Sequence, residues 1–322
     1  MSVITREKIQ EDSLKILEQF NRAGLGISMG VGKTRIAINH LLKNYDVFIK
    51  VLVVVPKNSV KESWITELNK MSLYDTLKDH IDFVTYLSLN KKDPNDYGIV
   101  YLDECHSLLY NHEKFLNGYT GKIVGLTGTP PKSEFTEKWK MVNKYCPIKY
   151  NFSVDNATDS NILNDYKIIV HYLNLSKEKN IKKKTKNGGF WFASEAGDYE
   201  YCTNRVNDAN TMKQKQLASI MRMRGLMDYE TKEKYAKRFL KTIDSKCIIF
   251  ANTQKQADRI CSHSYHSKND QSDYNLELFN DGRINKLSCV SQLNEGISIS
   301  NLSEGIIMHS YGNERKTAQR IG

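Results

Sequence analysis

The stretch Gly26-Ile27-Ser28-Met29-Gly30-Val31-Gly32-Lys33-Thr34 sits where an apolar run gives way to a helical pattern. Glycines there let the backbone wrap phosphate oxygens with its N–H groups turned inward, and a helix starting at the lysine adds favourable partial charge. Lys33 would neutralise β- and γ-phosphates, and the Thr34 hydroxyl would ligate Mg²⁺. With Met29, Gly30, Val31, Gly32 and Arg35 these residues form a candidate cradle for a nucleoside triphosphate, expected to be ATP with magnesium. The strict phosphate-loop spacing would put a glycine at Ile27; the Gly-x-Gly-Lys-Thr core is intact.

A second set of chemical groups lies seventy residues on. Ile99-Val100-Tyr101-Leu102 ends in Asp103-Glu104. A buried strand that delivers two acids at its C-terminal end is where a magnesium-holding carboxylate is expected. Asp103 would hold the metal through water, and Glu104 would orient and deprotonate an attacking water. A solvated acidic turn is the plain alternative, and the upstream loop is what argues against it.

The elements that must position these residues read as alternating strands and helices. Ala23–Ser28, Val51–Val55, Ile81–Tyr86, Ile99–Leu102 and Lys122–Leu126 are expected strands, with helices over Lys33–Lys43 and Ser59–Lys70. Unbroken apolar strands between helices predict an α/β fold with a parallel sheet covered on both faces. The polar stretch from Tyr145 to Asp159 reads as an interdomain linker, and Tyr166–Leu175 as a strand. Residues 208–243 read as helical, followed by strands at Cys247–Ala251, Lys286–Val290 and Gly305–His309 with a helix at Lys255–Ser262. Two lobes are expected, at 1–150 and 151–322, the second with a basic and helical insertion over about 176–243.

Composition sets the outer limits. A length of 322 residues suggests about two domains, and 40% apolar residues can fill two cores. No apolar run reaches the roughly 18 residues a membrane span requires, and the charged start offers no secretory core. A protein that stays in the cytoplasm, the host's if the gene is viral, is expected, without a membrane. The six cysteines show no Cys-x-x-Cys or zinc spacing, so reduced, mostly buried thiols are expected. A net charge of +10 is compatible with a polyanionic partner but does not demand one.

Asp103-Glu104-Cys105-His106 after Gly30–Thr34 resembles the D-E-x-H signature of superfamily-2 helicases and translocases, and further blocks follow in that family's order. Val51–Val60 with Trp64, Val84–Leu89, Gly125–Pro131 with Trp139, Ile248–Asn252, Ser291–Asn301 and Gln319–Gly322 are similar to its later blocks. The best resemblance is to the Swi/Snf-like or phage-type DNA helicase branch, and it covers most of the chain outside residues 152–245. It implies two RecA-like lobes, and an ATP-dependent DNA helicase or double-strand translocase whose lobes close on ATP. It implies that His106 serves catalysis; that Pro56, Lys57, Asn58, Thr85, Asn252 and Ser291 contact nucleic acid; and that Thr127, Thr129 and Gln319 couple the two sites. Gln10 would select adenine through its amide, and Gly296 and Arg320 would meet ATP. Asn58 or Ser59 as a simple helix cap, turn capping by Thr85 and a surface role for Gln10 remain open beside these roles.

Two features depart from the family pattern. The sixth block normally continues with two further arginines, which supports reading the sequence as truncated within that block. Ser298 stands where an acid or amide often meets the ribose. Six lysines from Lys177 to Lys186, ahead of Phe190-Trp191-Phe192, read either as a solvated loop or as a DNA contact, and the rings either as anchors of a hairpin or as surfaces on which bases stack. An RNA helicase of the same fold and a non-hydrolysing, ATP-responsive nucleic-acid binding module are the competing functions. A small-molecule kinase leaves the later blocks without a role.

Overall fold

The structure is a computed structural model that describes residues 4–44, 46, 50–185, 187–290, 299 and 301–308. It divides into two units, the first built on Met1–Lys167 and the second on Ile168–Asn294.

The first unit runs α1 (Arg6–Gln19), β1 (Arg22–Ile27), α2 (Lys33–Lys43), β2 (Val51–Val55), α3 (Asn58–Lys70), α4 (Tyr74–Leu77), β3 (Ile81–Thr85), β4 (Ile99–Asp103), α5 (Glu113–Leu116), β5 (Lys122–Thr127), α6 (Glu137–Tyr145), β6 (Ile148–Phe152) and α7 (Val154–Asp159). Its strands form one parallel sheet in the order β3-β2-β4-β5-β1-β6. Strand alternation sends Val51, Val53 and Val55 into one core with Trp64 and Tyr101, and Leu52 and Val54 into a second with Val100, Leu102 and Phe115. Both faces are therefore apolar and covered, which is why β2 reads as an uninterrupted Val-Leu-Val-Val-Val run. Each such side chain contributes roughly 1.5–3 kcal/mol on burial. Thr5 caps α1 by accepting from the Lys8 N–H at 3.2 Å, and Ile9, Ser13 and Leu17 bury one helical stripe.

The expected linker is corrected here. Residues 148–152 form β6, an edge strand paired in parallel with β1, and Ser153 caps α7 through the Asn156 N–H. The polar, alternating Ile148-Lys149-Tyr150-Asn151-Phe152 pattern is that of a strand with one face solvated, not of a connector.

The second unit contains β7 (Lys179–Lys184), β8 (Phe190–Ser194), α8 (Glu195–Asn207), α9 (Met212–Asp228), α10 (Glu230–Leu240), β9 (Cys247–Phe250), α11 (Gln254–Ile260), β10 (Ser264–Tyr265), α12 (Ser272–Asn280), β11 (Lys286–Cys289) and β12 (Glu304–Ile307). A parallel sheet runs β10-β11-β9-β12, and β7 and β8 form a separate antiparallel hairpin. The expected strand over Tyr166–Leu175 is absent: the segment is irregular, with Ile168, Ile169 and Val170 exposed, because it pairs with no described strand. The second lobe is thus α/β as expected, and the lysine run is a strand of a hairpin. None of the six cysteines is in a disulfide, and five of them are buried. No described helix is long and apolar enough to cross a membrane.

Candidate active site

The loop between β1 and α2 turns through two left-handed glycines, Gly30 at φ 81° and Gly32 at φ 99°. Gly32 is the N-cap of α2, and its carbonyl accepts from the Ile36 N–H at 3.0 Å. A Cβ on Gly32 would lie 2.9 Å from Nε2 of Gln10, and that amide donates to the Val31 carbonyl at 3.0 Å. Gln10, on α1, therefore rests directly on the loop. Lys33 and Thr34 open α2, and a Cβ on Gly128, just after β5, would lie 3.3 Å from Lys33 Nζ and 3.5 Å from Met29 Cγ. Arg35 is half exposed and faces α3, where its guanidinium lies 3.7 Å from Glu67.

Asp103 ends β4 and is only 5% exposed. Its Oδ2 accepts from the Trp64 indole at 2.7 Å and its Oδ1 from the Glu104 N–H at 3.0 Å. The Tyr86 hydroxyl donates to the Asp103 carbonyl at 2.8 Å. Burial pushes the Asp103 carboxyl above its ordinary range, while the Trp64 donor, the Lys33 charge and the Glu104 N–H pull the other way. Lys33 and Asp103, distant in sequence, thus act on one electrostatic centre.

Glu104 takes a left-handed backbone at φ 49°, a strained turn for a residue with a side chain. Its Oε2 lies 3.3 Å from His106 Nδ1 and accepts from Thr127 Oγ1 at 3.5 Å. The buried His106 also meets Thr127 Oγ1 at 2.7 Å through Nδ1, and the Thr129 N–H donates to that hydroxyl at 3.1 Å. Glu104, His106, Thr127 and Thr129 therefore form one connected polar group between the ends of β4 and β5.

The ends of β2 and β3 open on a cavity of about 290 Å³ lined by Val55, Asn58, Lys61, Phe83, Val84, Thr85 and Ser88. Asn58 and Thr85 were singled out by sequence; Lys61 and Phe83 were not, and Lys61 Nζ lies 5.8 Å from the Phe83 ring centroid. Lys61 is three positions beyond Asn58, one turn along the same helical face, which is the signal that could have found it. Lys57, after Pro56, is the N-cap of α3 and makes no side-chain cap, so the alternative of a simple helix cap by Asn58 or Ser59 is not met. Trp64 was legible only as part of a block; a buried indole N–H needs a partner, and that partner proves to be Asp103.

Asn252, after β9, is engaged within the second unit: its amide donates to the Met227 carbonyl at 3.2 Å and to Gln256 at 3.1 Å. Ser291, Gly296, Ser298, Gln319 and Arg320 lie outside the described residues.

The residues present fit a magnesium nucleotide. Two positive-φ glycines leave the loop open where side chains would crowd it, and a buried carboxylate stands near the loop lysine. Among the described residues no group of three or more His, Cys, Asp or Glu could hold a metal alone, so a cation here would rely on Thr34, Asp103 and phosphate oxygens.

The family model described as the Type III restriction enzyme res subunit matches residues 4–132, and that of the helicase conserved C-terminal domain matches residues 231–322. The putative ATP-dependent RNA helicase QP509L of African swine fever virus (isolate Tick/South Africa/Pretoriuskop Pr4/1996) is 29% identical over 146 residues, 39% of this chain. That match spans 28% of the relative's length. The DNA 3'-5' translocase XPB2 of Sulfurisphaera tokodaii is 23% identical across 97% of this chain and 76% of its own. The fold is shared with a fragment of a putative HsdR subunit of a type I restriction enzyme from Vibrio vulnificus YJ016, at a TM-score of 0.59 and 13% identity, covering 98% of this chain and 59% of that one.

Proposed function

We propose that this chain, which belongs to the superfamily-2 helicase and translocase enzymes, hydrolyses ATP with Mg²⁺ to drive movement along DNA. The observation that carries the reading is the bonded group Glu104–His106–Thr127–Thr129. It joins the acid expected to act on water to the loop that passes Lys33.

The magnesium nucleotide supplies the phosphoanhydride bond to be cleaved. Lys33 stabilises negative charge on the phosphates, where a fixed cation in a partly buried site acts more strongly than in water. Thr34 and Asp103 would hold the cation, and the Trp64 indole keeps the Asp103 carboxylate in one orientation. Glu104 accepts the proton of the attacking water; His106 and Thr127 fix its carboxylate for that role. Gln10, whose amide donates to the Val31 carbonyl, rests on the loop and would turn to adenine when the nucleotide binds. Asn58, Thr85 and Lys61 around the β2–β3 cavity present short polar groups and one charge to a phosphate backbone, with Pro56 and Lys57 directly ahead of Asn58 in the chain.

DNA is favoured by the likeness to XPB2 across nearly the whole chain. The likeness of part of the chain to QP509L, named as an RNA helicase, favours RNA as the second reading. The test is the ATPase rate with duplex DNA, single-stranded DNA or RNA at saturation. Stimulation by DNA alone supports the first reading, by RNA alone the second, and no stimulation by any of them sinks both.

A further inference from the structure

The β7–β8 hairpin carries three consecutive aromatic residues, Phe190, Trp191 and Phe192, that remain 53%, 50% and 51% exposed. Rings of that size normally fill a core. Here the pairing register explains what they do instead. Lys182 stands opposite Phe192 and Lys184 opposite Phe190, so two rings and two ammonium groups share one face. Lys182 Nζ lies 3.9 Å from the Phe190 ring centroid. Lys183 and Trp191 occupy the other face, where Lys183 pairs with the buried Asp198 of α8 at 2.7 Å.

The mount of this hairpin is firm. Buried Glu195, directly after β8, accepts from the Ser176 N–H at 3.0 Å, the Thr231 N–H at 2.9 Å and the Thr231 hydroxyl at 2.6 Å. Tyr229 donates to Asp198 at 3.3 Å, and Ala193 of β8 is buried. The Lys183 ion pair and the Glu195 contacts hold the other face and the base; Trp191 on that face is as exposed as the two phenylalanines, but only the Phe190–Phe192 face sets two rings beside two lysines that no ion pair among the described residues takes up.

We infer that this face binds single-stranded DNA, with bases stacked on Phe190 and Phe192 and phosphates held by Lys182 and Lys184. Stacking needs access to the flat face of a base, which a duplex hides between neighbouring pairs and a single strand offers freely. Lys182 and Lys184, two positions apart on one strand, supply charge of the sign phosphates require, and neither is opposed by an acid on its own face of the ladder. The inference rests on the DNA-motor reading but concerns a surface outside its nucleotide machinery.

The test uses the full chain without nucleotide and measures binding of labelled oligo(dT) and of a blunt duplex. The Phe190→Ala/Phe192→Ala variant should weaken oligo(dT) binding by roughly 30-fold or more and change duplex binding less than twofold. Phe190→Trp/Phe192→Trp should restore it. The Lys182→Ala/Lys184→Ala variant should flatten the dependence of log affinity on log salt by roughly 1.4, whereas the aromatic variant should leave that slope in place. Unchanged thermal midpoints and basal ATPase rates show that the variants fold. Wild-type oligo(dT) affinity in the alanine variant, or equal losses for single strand and duplex, overturns the inference. DNA-stimulated ATPase in the unaltered chain is scored separately, so failure of the hairpin and failure of the motor reading give different results.

Discussion

The Trp64 indole donates to Oδ2 of Asp103 at 2.7 Å, so a tryptophan 39 positions upstream fixes the carboxylate at the end of β4. Both groups are buried, and the bond satisfies the indole while favouring the charged form of an acid that burial otherwise disfavours. Trp64→Phe keeps most of the packing and removes the donor. It should cost about 1.5–3 kcal/mol of stability, read from urea unfolding. It should also move the acid limb of the ATPase pH profile upward, because the Asp103 carboxyl then protonates more readily. A lower rate with an unmoved acid limb would mean that Trp64 serves packing alone.

Glu104→Gln preserves size and removes the base. Hydrolysis should fall roughly 10²–10⁴-fold, with the affinity for a fluorescent ATP analogue kept. Thr127→Val removes a hydroxyl that meets both Glu104 and His106. It should lower DNA-stimulated hydrolysis more than basal hydrolysis, and equal effects on both rates would argue against coupling through this group.

Gly32→Ala places a methyl group at φ 99° and 2.9 Å from Gln10 Nε2. A strained left-handed backbone costs about 1–3 kcal/mol, and nucleotide binding should be lost with the loop geometry. Gly188 is the internal control. It also has positive φ, at 81°, but nothing lies within 4 Å of its Cβ position. Gly188→Ala should show a smaller fall in thermal midpoint and intact nucleotide titration.

His40 gives a pH dependence to stability. Burial lowers its pKa to about 4; Nδ1 meets the Tyr101 hydroxyl at 2.7 Å and Nε2 is buried without a hydrogen-bond partner. The unfolded chain takes up the proton near pH 6.5, before the folded chain does. Stability is therefore full above about pH 6.5 and lost as pH falls toward 4, by up to about 3 kcal/mol. Urea midpoints at pH 7 and pH 5 should differ accordingly, and His40→Leu should flatten the difference even though it lowers stability at pH 7.

What could be read directly from the sequence was whatever a few adjacent residues enforce. Gly30 and Gly32 supply positive φ at the loop, Lys33 starts the helix, and Val51–Val55 is apolar because both faces of its strand are covered. Asp103-Glu104 at the end of a strand belongs to the same local grammar. Tertiary structure decided everything that depends on which strands become neighbours. The polar Ile148–Phe152 became an edge strand because β1 offers it a free ladder, while the more apolar Ile168–Val170 found no partner and stayed irregular. Trp64 met Asp103, and Lys61 came to line one cavity with Phe83 and Thr85, because β2 lies between β3 and β4. Backbone conformation is set by side chains within a turn, whereas these meetings are set by strand order, which no local spacing records.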